Sequence, residues 1–307
     1  MKKSLHVLLI FLLTLFAGYP AASATAAEKT RLRFSSGPPG GTFETTARAL
    51  TLRINEQRPG VEVSLAISGG SVENLRRVNS GEADFAIVYA GDLLLAGIGL
   101  LPYDNRIYDQ VLAVATLYAA PAQLVVRANS NITRVEDLAG RRVAVGGIGS
   151  GAAATAQRFF TGIGLWDRIK PDFSGYQDAI SALGHGYVDA IWVFSGVPTA
   201  AVTQAAKSFP VRLLNLSEAA EQSGFFRQYP FFTPTVIPAH TYPHVDYEVA
   251  TFQDLAVWVA GDQISAATVE QALAAASRDE ALVDGREGII TPLHPGAATF
   301  WENHPAP

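Results

Sequence analysis

The sequence predicts an α/β protein of two similar lobes that face each other across a cleft. Three observations predict it: a glycine-rich turn between a strand and a helix at 34–43, a second such turn at 141–151, and two further motifs that follow each turn in the same order. At the first turn, Leu32 and Phe34 alternate with polar residues, as in a half-buried strand. Pro38, Pro39, Gly37, Gly40 and Gly41 then forbid regular structure, and Phe43, Ala47, Leu50 and Ile54 resume at helical spacing. The first amides of a helix have no intrahelical partner, and glycines admit a ligand to them, so such a turn is a potential anion seat.

The second turn repeats the pattern. Val143 and Val145 alternate, Gly146, Gly147, Gly149 and Gly151 interrupt, and an Ala-rich helix carrying Phe159, Phe160 and Ile163 follows. Gly69-Gly70-Ser71 after one strand is answered by Ser174-Gly175-Tyr176 after another. The stretch Gly81-Glu-Ala-Asp84 opening an apolar strand is answered by Gly186-Tyr-Val-Asp189. The offsets are 111 residues (Gly40 to Gly151), 106 (Gly69 to Gly175) and 105 (Gly81 to Gly186), a drift that loop-length changes produce. Each unit is therefore β-α-β-α-β, with a helix N-terminus at the carboxyl end of its sheet, where open sheets bind ligands.

In order along the chain, residues 1–24 carry Lys2 and Lys3, an apolar run from Val7 to Phe16, Pro20 and Ala22-Ser23-Ala24, the pattern of a secretory leader with an A-x-A cleavage site. The first lobe is expected from 28–121 plus 241–307 and the second from 122–240. In the first, Val61, Val63, Leu65 and Ile67 alternate as a strand, and Ser71 is placed to cap a helix with Asn74 at its third position. Two strands, at 111–118 and 123–127, are expected on either side of Ala119-Ala120-Pro121-Ala122, the second carrying the chain across. A short helix holds Val135 and Leu138. Small and aromatic residues end both G-x-x-D strands: Tyr89-Ala90-Gly91-Asp92 and Phe194-Ser195-Gly196. The aromatic, proline-containing stretch 225–234 reads as a packed loop between lobes, 256–259 as a return strand, and Ser265 as the cap of a helix through Val269 and Leu273. Phe300 and Trp301 read as lid or packing contacts on the first lobe.

Composition narrows the chemistry. The 307 residues are 49% apolar and 17% charged, enough for two cores. Net charge is −5, with 23 basic and 28 acidic residues, and loss of the leader's two lysines makes it −7. With no Lys/Arg cluster, nucleic acid is not an expected partner. There is no cysteine, which excludes disulfides and thiolate sites. His240 and His244 lie among Pro238 and Pro243, so they do not share a helix face for a metal. Gly147, Gly149 and Gly151 with Ala152 satisfy a relaxed dinucleotide fingerprint, with Asp167 or Asp172 near the ribose position, but an exported protein has little access to such a cofactor. No G-x-S-x-G elbow and no P-loop lysine is present. Asp84 and Asp189 begin their strands, at the end away from the cleft, as turn residues.

The motifs GGTF (40–43), SGGSVENL (68–75), SGEADFAIV (80–88), LVVR (124–127), DLAGRRVAVGGIGSG (137–151), YPFF (229–232), TYP (241–243) and PLHPGA (292–297) span nearly all of the chain beyond the leader. In these the sequence resembles the TAXI family, the solute-binding proteins of tripartite ATP-independent periplasmic (TRAP) transporters. The resemblance implies a type II periplasmic-binding-protein fold, a Venus flytrap joined by hinge strands. It implies no enzymatic activity and no cofactor, and a monomer in the periplasm. Such a receptor hands a small organic anion, a glutamate-like amino acid or a C4/C5 dicarboxylate, to a membrane permease. The ligand-binding positions it implies are Thr42, Phe43, Ser68, Gly70, Ser71, Tyr89, Gly149, Ser150, Gly151, Phe194 and Ser195. The chain departs from the family at Phe43-Glu44-Thr45, where a tyrosine hydroxyl is lost and a carboxylate enters, which favours a less polar or larger acid than glutamate. A periplasmic sensor or an exported enzyme on the same fold are the alternatives. Whether Arg48, Arg76 or Arg158 turns inward is open at this level.

Overall fold

A computed structural model describes residues 29–304 apart from 59, 103 and 279–282; the leader at 1–24 lies outside them. The first unit runs β1 (Thr30–Ser35), α1 (Thr42–Gln57), β2 (Val61–Ala66), α2 (Ser71–Asn79) and β3 (Phe85–Tyr89), followed by α3 (Ala90–Gly97) and the long strand β4 (Val111–Arg127). The second runs β5 (Arg142–Ala144), α4 (Gly151–Gly162), β6 (Lys170–Asp172), α5 (Tyr176–His185) and β7 (Ala190–Phe194). There follow α6 (Ala200–Ser208), β8 (Val211–Leu213), α7 (Ser217–Ser223), α8 (Phe225–Gln228), β9 (Thr233–Ile237), β10 (Val249–Gly261), α9 (Ala266–Ala276) and α10 (Pro295–Asn303).

The sheet order is β2-β1-β3-β10-β4-β7-β5-β6, with β8 against β4 and β9 against β10. The internal repeat is visible in it. β2-β1-β3 and β6-β5-β7 are parallel triplets with the same order, and each is closed by an antiparallel strand, β10 against β3 and β4 against β7. This is the mixed α/β architecture of type II periplasmic binding proteins, in which each triplet delivers its helix N-termini to one edge.

The connection between the halves differs from the two strands expected at 111–118 and 123–127. They are one strand of 17 residues whose partner changes. Residues up to Pro121 pair with β10, and Ala122 to Val126 pair with β7. A proline, with no amide to donate, is tolerated where one ladder gives way to the next. β10 crosses as well: Val249 to Gln253 pair with β9, and Ala256 to Ala260 pair with β3.

Two apolar centres hold the halves. Phe34, Phe85 and Trp258 cluster at 5.3–6.1 Å in the first. In the second, Phe225 stacks on Phe232 at 5.1 Å and meets Phe159 and Phe252 at 5.6 and 4.9 Å. The aromatic stretch at 225–234 thus enters the core through α8 rather than lying as a loop. The tail is packing and not a lid: Trp301 of α10 is buried and its indole donates to the Val114 carbonyl at 2.9 Å.

Candidate functional site

The site grows from where three glycine turns end. The turn before α1, the Gly69-Gly70 turn before α2 and the 146–150 turn before α4 meet at one place, joined by the N-terminus of α5 and the loop after β7. Pro38, Phe43, Gly70, Ser71, Tyr89, Ser150, Gly151, Tyr176, Phe194 and Ser195 are among its walls. Residues 109 positions apart in the two repeats are thereby brought face to face.

Glycine is required where the halves touch. A Cβ on Gly151 would stand 2.5 Å from the Tyr89 ring and 2.7 Å from the Ser71 Cβ, closer than any side chain tolerates. Gly70 and Gly149 take φ of 120° and 78°, which other residues rarely adopt. The Gly149 carbonyl accepts from the Glu73 amide at 3.0 Å, so the first turn of α2 donates directly to the turn opening α4.

Hydroxyls and rings complete the contact. The Thr42 amide donates to Ser195 Oγ at 3.0 Å, the two hydroxyls are 2.7 Å apart, and the Gly196 amide donates to Thr42 Oγ1 at 2.9 Å. Tyr89 and Tyr176 both donate to the Phe194 carbonyl, at 2.5 and 2.9 Å. Burial raises the pKa of both phenols, which therefore remain neutral donors. Phe43 and Phe194 each lie 4.7 Å from the Tyr89 ring.

Ser68, inside the turn, accepts from the Gly70 amide at 3.2 Å. Ser150 caps α4 by accepting from Ala153 at 3.0 Å. Ser71 does not cap α2 as expected. Gly70 holds the cap position, and Ser71 Oγ accepts from the Tyr89 amide at 2.9 Å. Asn74, rather than completing a capping box, lies buried below the seat, where it donates to the Ser36 and Ile87 carbonyls at 2.7 Å and accepts from Ser35. The tip of β1 and the tip of β3 are thereby fixed against α2.

All eleven sequence-derived positions converge on this place. The sequence reading missed Tyr176, although it stands in the repeat where Ser71 stands in the first unit. It also missed α3: Ala90, Gly91 and Asp92 form a buried helical turn, and Asp92 pairs with Arg158 at 2.7 Å. Arg48 pairs with Glu44 at 2.9 Å on an exposed face of α1, so Glu44 turns away from the seat. No charged side chain lines the seat among the described residues.

The amides of Ser71 and Val72 on one side, and of Gly151 and Ala152 on the other, have no acceptor among the described residues, as helix geometry dictates for a first turn. Opposed helix N-termini favour negative charge between them. In this conformation the seat is shut, with a cavity of about 20 Å³ that holds one water.

Residues 34–304 match the NMT1-like family. The chain belongs to that family. Solved structures agree on the fold. The malate-bound MatC of Rhodopseudomonas palustris is 18% identical at a TM-score of 0.56, covering 89% of this chain and 96% of that one. The alkanesulfonate-binding protein SsuA of Xanthomonas axonopodis pv. citri, bound to MOPS, is 18% identical at 0.50, covering 92% and 82%. The ligand-binding core of GluR0 from Nostoc punctiforme, in complex with L-glutamate, is 15% identical at 0.50, covering 82% and 95%. At these identities the likeness is one of architecture, and it places this NMT1-like chain among type II solute-binding folds.

Proposed function

We propose that this protein is the periplasmic solute-binding receptor of a TRAP transporter, of the TAXI type within the NMT1-like group. It captures a small organic anion between its lobes and delivers it to a membrane permease. The lobes are taken as 28–121 with the C-terminal part of the chain, and 122–240, with the return crossing placed within β10. The observation that carries this reading is the meeting of α2 and α4: two helix N-termini from different halves, each opened by glycines, with free amides aimed into one gap.

Such a gap stabilises a carboxylate through backbone dipoles and hydroxyls rather than through a balancing charge in the seat itself. It contains no nucleophile with an adjacent base, which favours capture over turnover. The leader supports export, and no cofactor is needed for the task. Capture requires the lobes to part, with β4 and β10 bending where each changes partner, because the shut seat admits no metabolite. The protein acts as a monomer, and the permease reads the closed form. Glutamate-like amino acids and C4/C5 dicarboxylates are the ligand classes to try first.

The test is a thermal-shift screen of amino acids and organic acids on protein stripped of co-purified ligand by unfolding and refolding. A ligand at a hundredfold over its Kd should add about 2.7 kcal/mol to stability. A protein that responds to no acid, and from which no small molecule is recovered before stripping, is not such a receptor.

A further inference from the structure

Beside the shut seat a cavity of about 180 Å³ lies between α2 and α4. Val72, Arg76 and Pro102 bound it on the first half, and Ile148, Ala153 and Phe173 on the second. Ser150 lines both spaces, so they adjoin. At about 30 Å³ of liquid volume per water, this one has the capacity of about six waters, that of a small metabolite. Ile148 and Phe173, at 80% and 46% exposed, offer it an apolar wall.

Its one charged wall residue is Arg76, and the charge there is not balanced. Arg76 Nε stands 3.4 Å from Asp104, a long contact. Asp104 is already engaged by Arg106, through Nε at 3.0 Å and Nη2 at 2.7 Å, and by the Tyr108 hydroxyl at 2.7 Å. Two guanidiniums share one carboxylate, leaving a net positive charge. Glu73, the nearest acid on α2, is committed elsewhere, to Arg77 and to the Gly69 amide.

Position completes the case. Helical side chains lean toward their own N-terminus, and Arg76 follows Ser71 by five residues, about 7.5 Å of axial rise. Its Nη1 lies 3.9 Å from where a Cβ on Gly149 would stand, beside the turn that opens α4. An acid group held by the amides of that turn therefore has Arg76 within reach of a second acid group a few bonds away.

We infer that Arg76 is the specificity-determining cation of the interlobe site, and that the ligand carries two acid groups, one on the helix N-termini and one on Arg76, with its carbon chain against Ile148 and Phe173. This rests on the receptor reading above and narrows it to diacids. The less polar ligand that Phe43 suggested is displaced by a cation the sequence alone did not position.

The test is calorimetric titration of stripped protein with succinate and glutarate against butyrate and pentanoate, in wild type, Arg76→Gln and Ser71→Asp. Arg76 is partly exposed and Asp104 keeps Arg106 and Tyr108, so the Gln variant should fold. Diacids are expected to bind wild type at least about tenfold more tightly than monoacids, and Arg76→Gln to remove that advantage while leaving monoacids within about twofold. Equal binding of the two classes, or diacid affinity unchanged in Arg76→Gln, overturns the inference. If monoacids bind and Ser71→Asp abolishes them, the receptor reading survives that failure. If no acid binds wild type, both fall.

Discussion

Arg158 of α4 donates to Asp92 of α3 at 2.7 Å, so a buried ion pair ties the second half of the molecule to the first. The side chains are 7% and 1% exposed. Neither is fully satisfied, since Asp92 Oδ2 and Arg158 Nη2 have no hydrogen-bond partner among the described residues. Taking two charges out of water costs several kcal/mol each, which their attraction barely offsets. The pair specifies how the halves meet more than it adds to stability.

Removing one partner is therefore far worse than removing both. Asp92→Ala should lower the unfolding free energy by about 3–5 kcal/mol, because it leaves a bare guanidinium in the core. Asp92→Leu combined with Arg158→Met should recover most of that loss. Urea denaturation of the variants decides it, and simple additivity of the two single changes would show that the groups do not act as a pair.

Asp254 of β10 stands beside that pair, accepting from the Gly91 and Leu255 amides at 2.9 and 2.7 Å. Burial pushes its carboxyl up to about 7, helped by the Asp92 charge and opposed by the two amides and Arg158. Unfolded, it titrates near 3.9. The folded state thus holds a proton that the unfolded state has released. The contribution is fully present below about pH 4 and is lost as pH rises to about 7, by at most about 1.4 kcal/mol per unit. Asp254→Asn should abolish this slope. The stability difference between wild type and variant, followed across that range, should vary with pH; a constant difference would refute the shifted carboxyl.

Closure has its own single-atom test. A methyl at position 151 would collide with the Tyr89 ring and Ser71, at 2.5 and 2.7 Å. Alanine is otherwise welcome at the start of a helix, so each half should fold as before. Gly151→Ala should hold the lobes apart, seen as a larger radius of gyration in small-angle scattering and weaker ligand binding. Adding Tyr89→Ala should relieve half of the clash. A scattering profile identical to wild type would mean that the turn yields instead.

Much of this was legible because backbone needs leave marks in sequence. Gly70, Gly149 and Gly151 announce turns, the G-x-x-D strands announce the repeat, and together they located the seat. Pairings set by three-dimensional approach left no such mark. Asp92 and Arg158 are 66 residues apart with no pattern linking them. Arg76 stands on an ordinary amphipathic helix, and its importance depends on Arg106 having taken Asp104. The continuous β4 was hidden by Pro121, which reads as a break until its change of partner is seen.

The repeat also preserves a clip at the far end of each half, and this yields a contrast with the seat. The Arg33 amide donates to Asp84 Oδ2 at 2.6 Å, and its Nη2 to the Gly81 carbonyl at 2.6 Å. In the second half the Arg142 amide donates to Asp189 Oδ2 at 2.8 Å, and its Nη2 to the Gly186 carbonyl at 2.7 Å. Each aspartate thus locks the start of one strand to the turn before another, at the ends of the strands remote from the glycine turns. Asp84→Ala leaves a backbone donor and a guanidinium without their acceptor and should cost about 1–3 kcal/mol. Asp189→Ala should cost less, because its side chain is 26% exposed against 12% for Asp84 and water can replace it. Both variants should bind ligand as wild type does at temperatures where they are folded. Loss of affinity in a fully folded Asp84→Ala protein would mean that the two ends of the sheet are coupled.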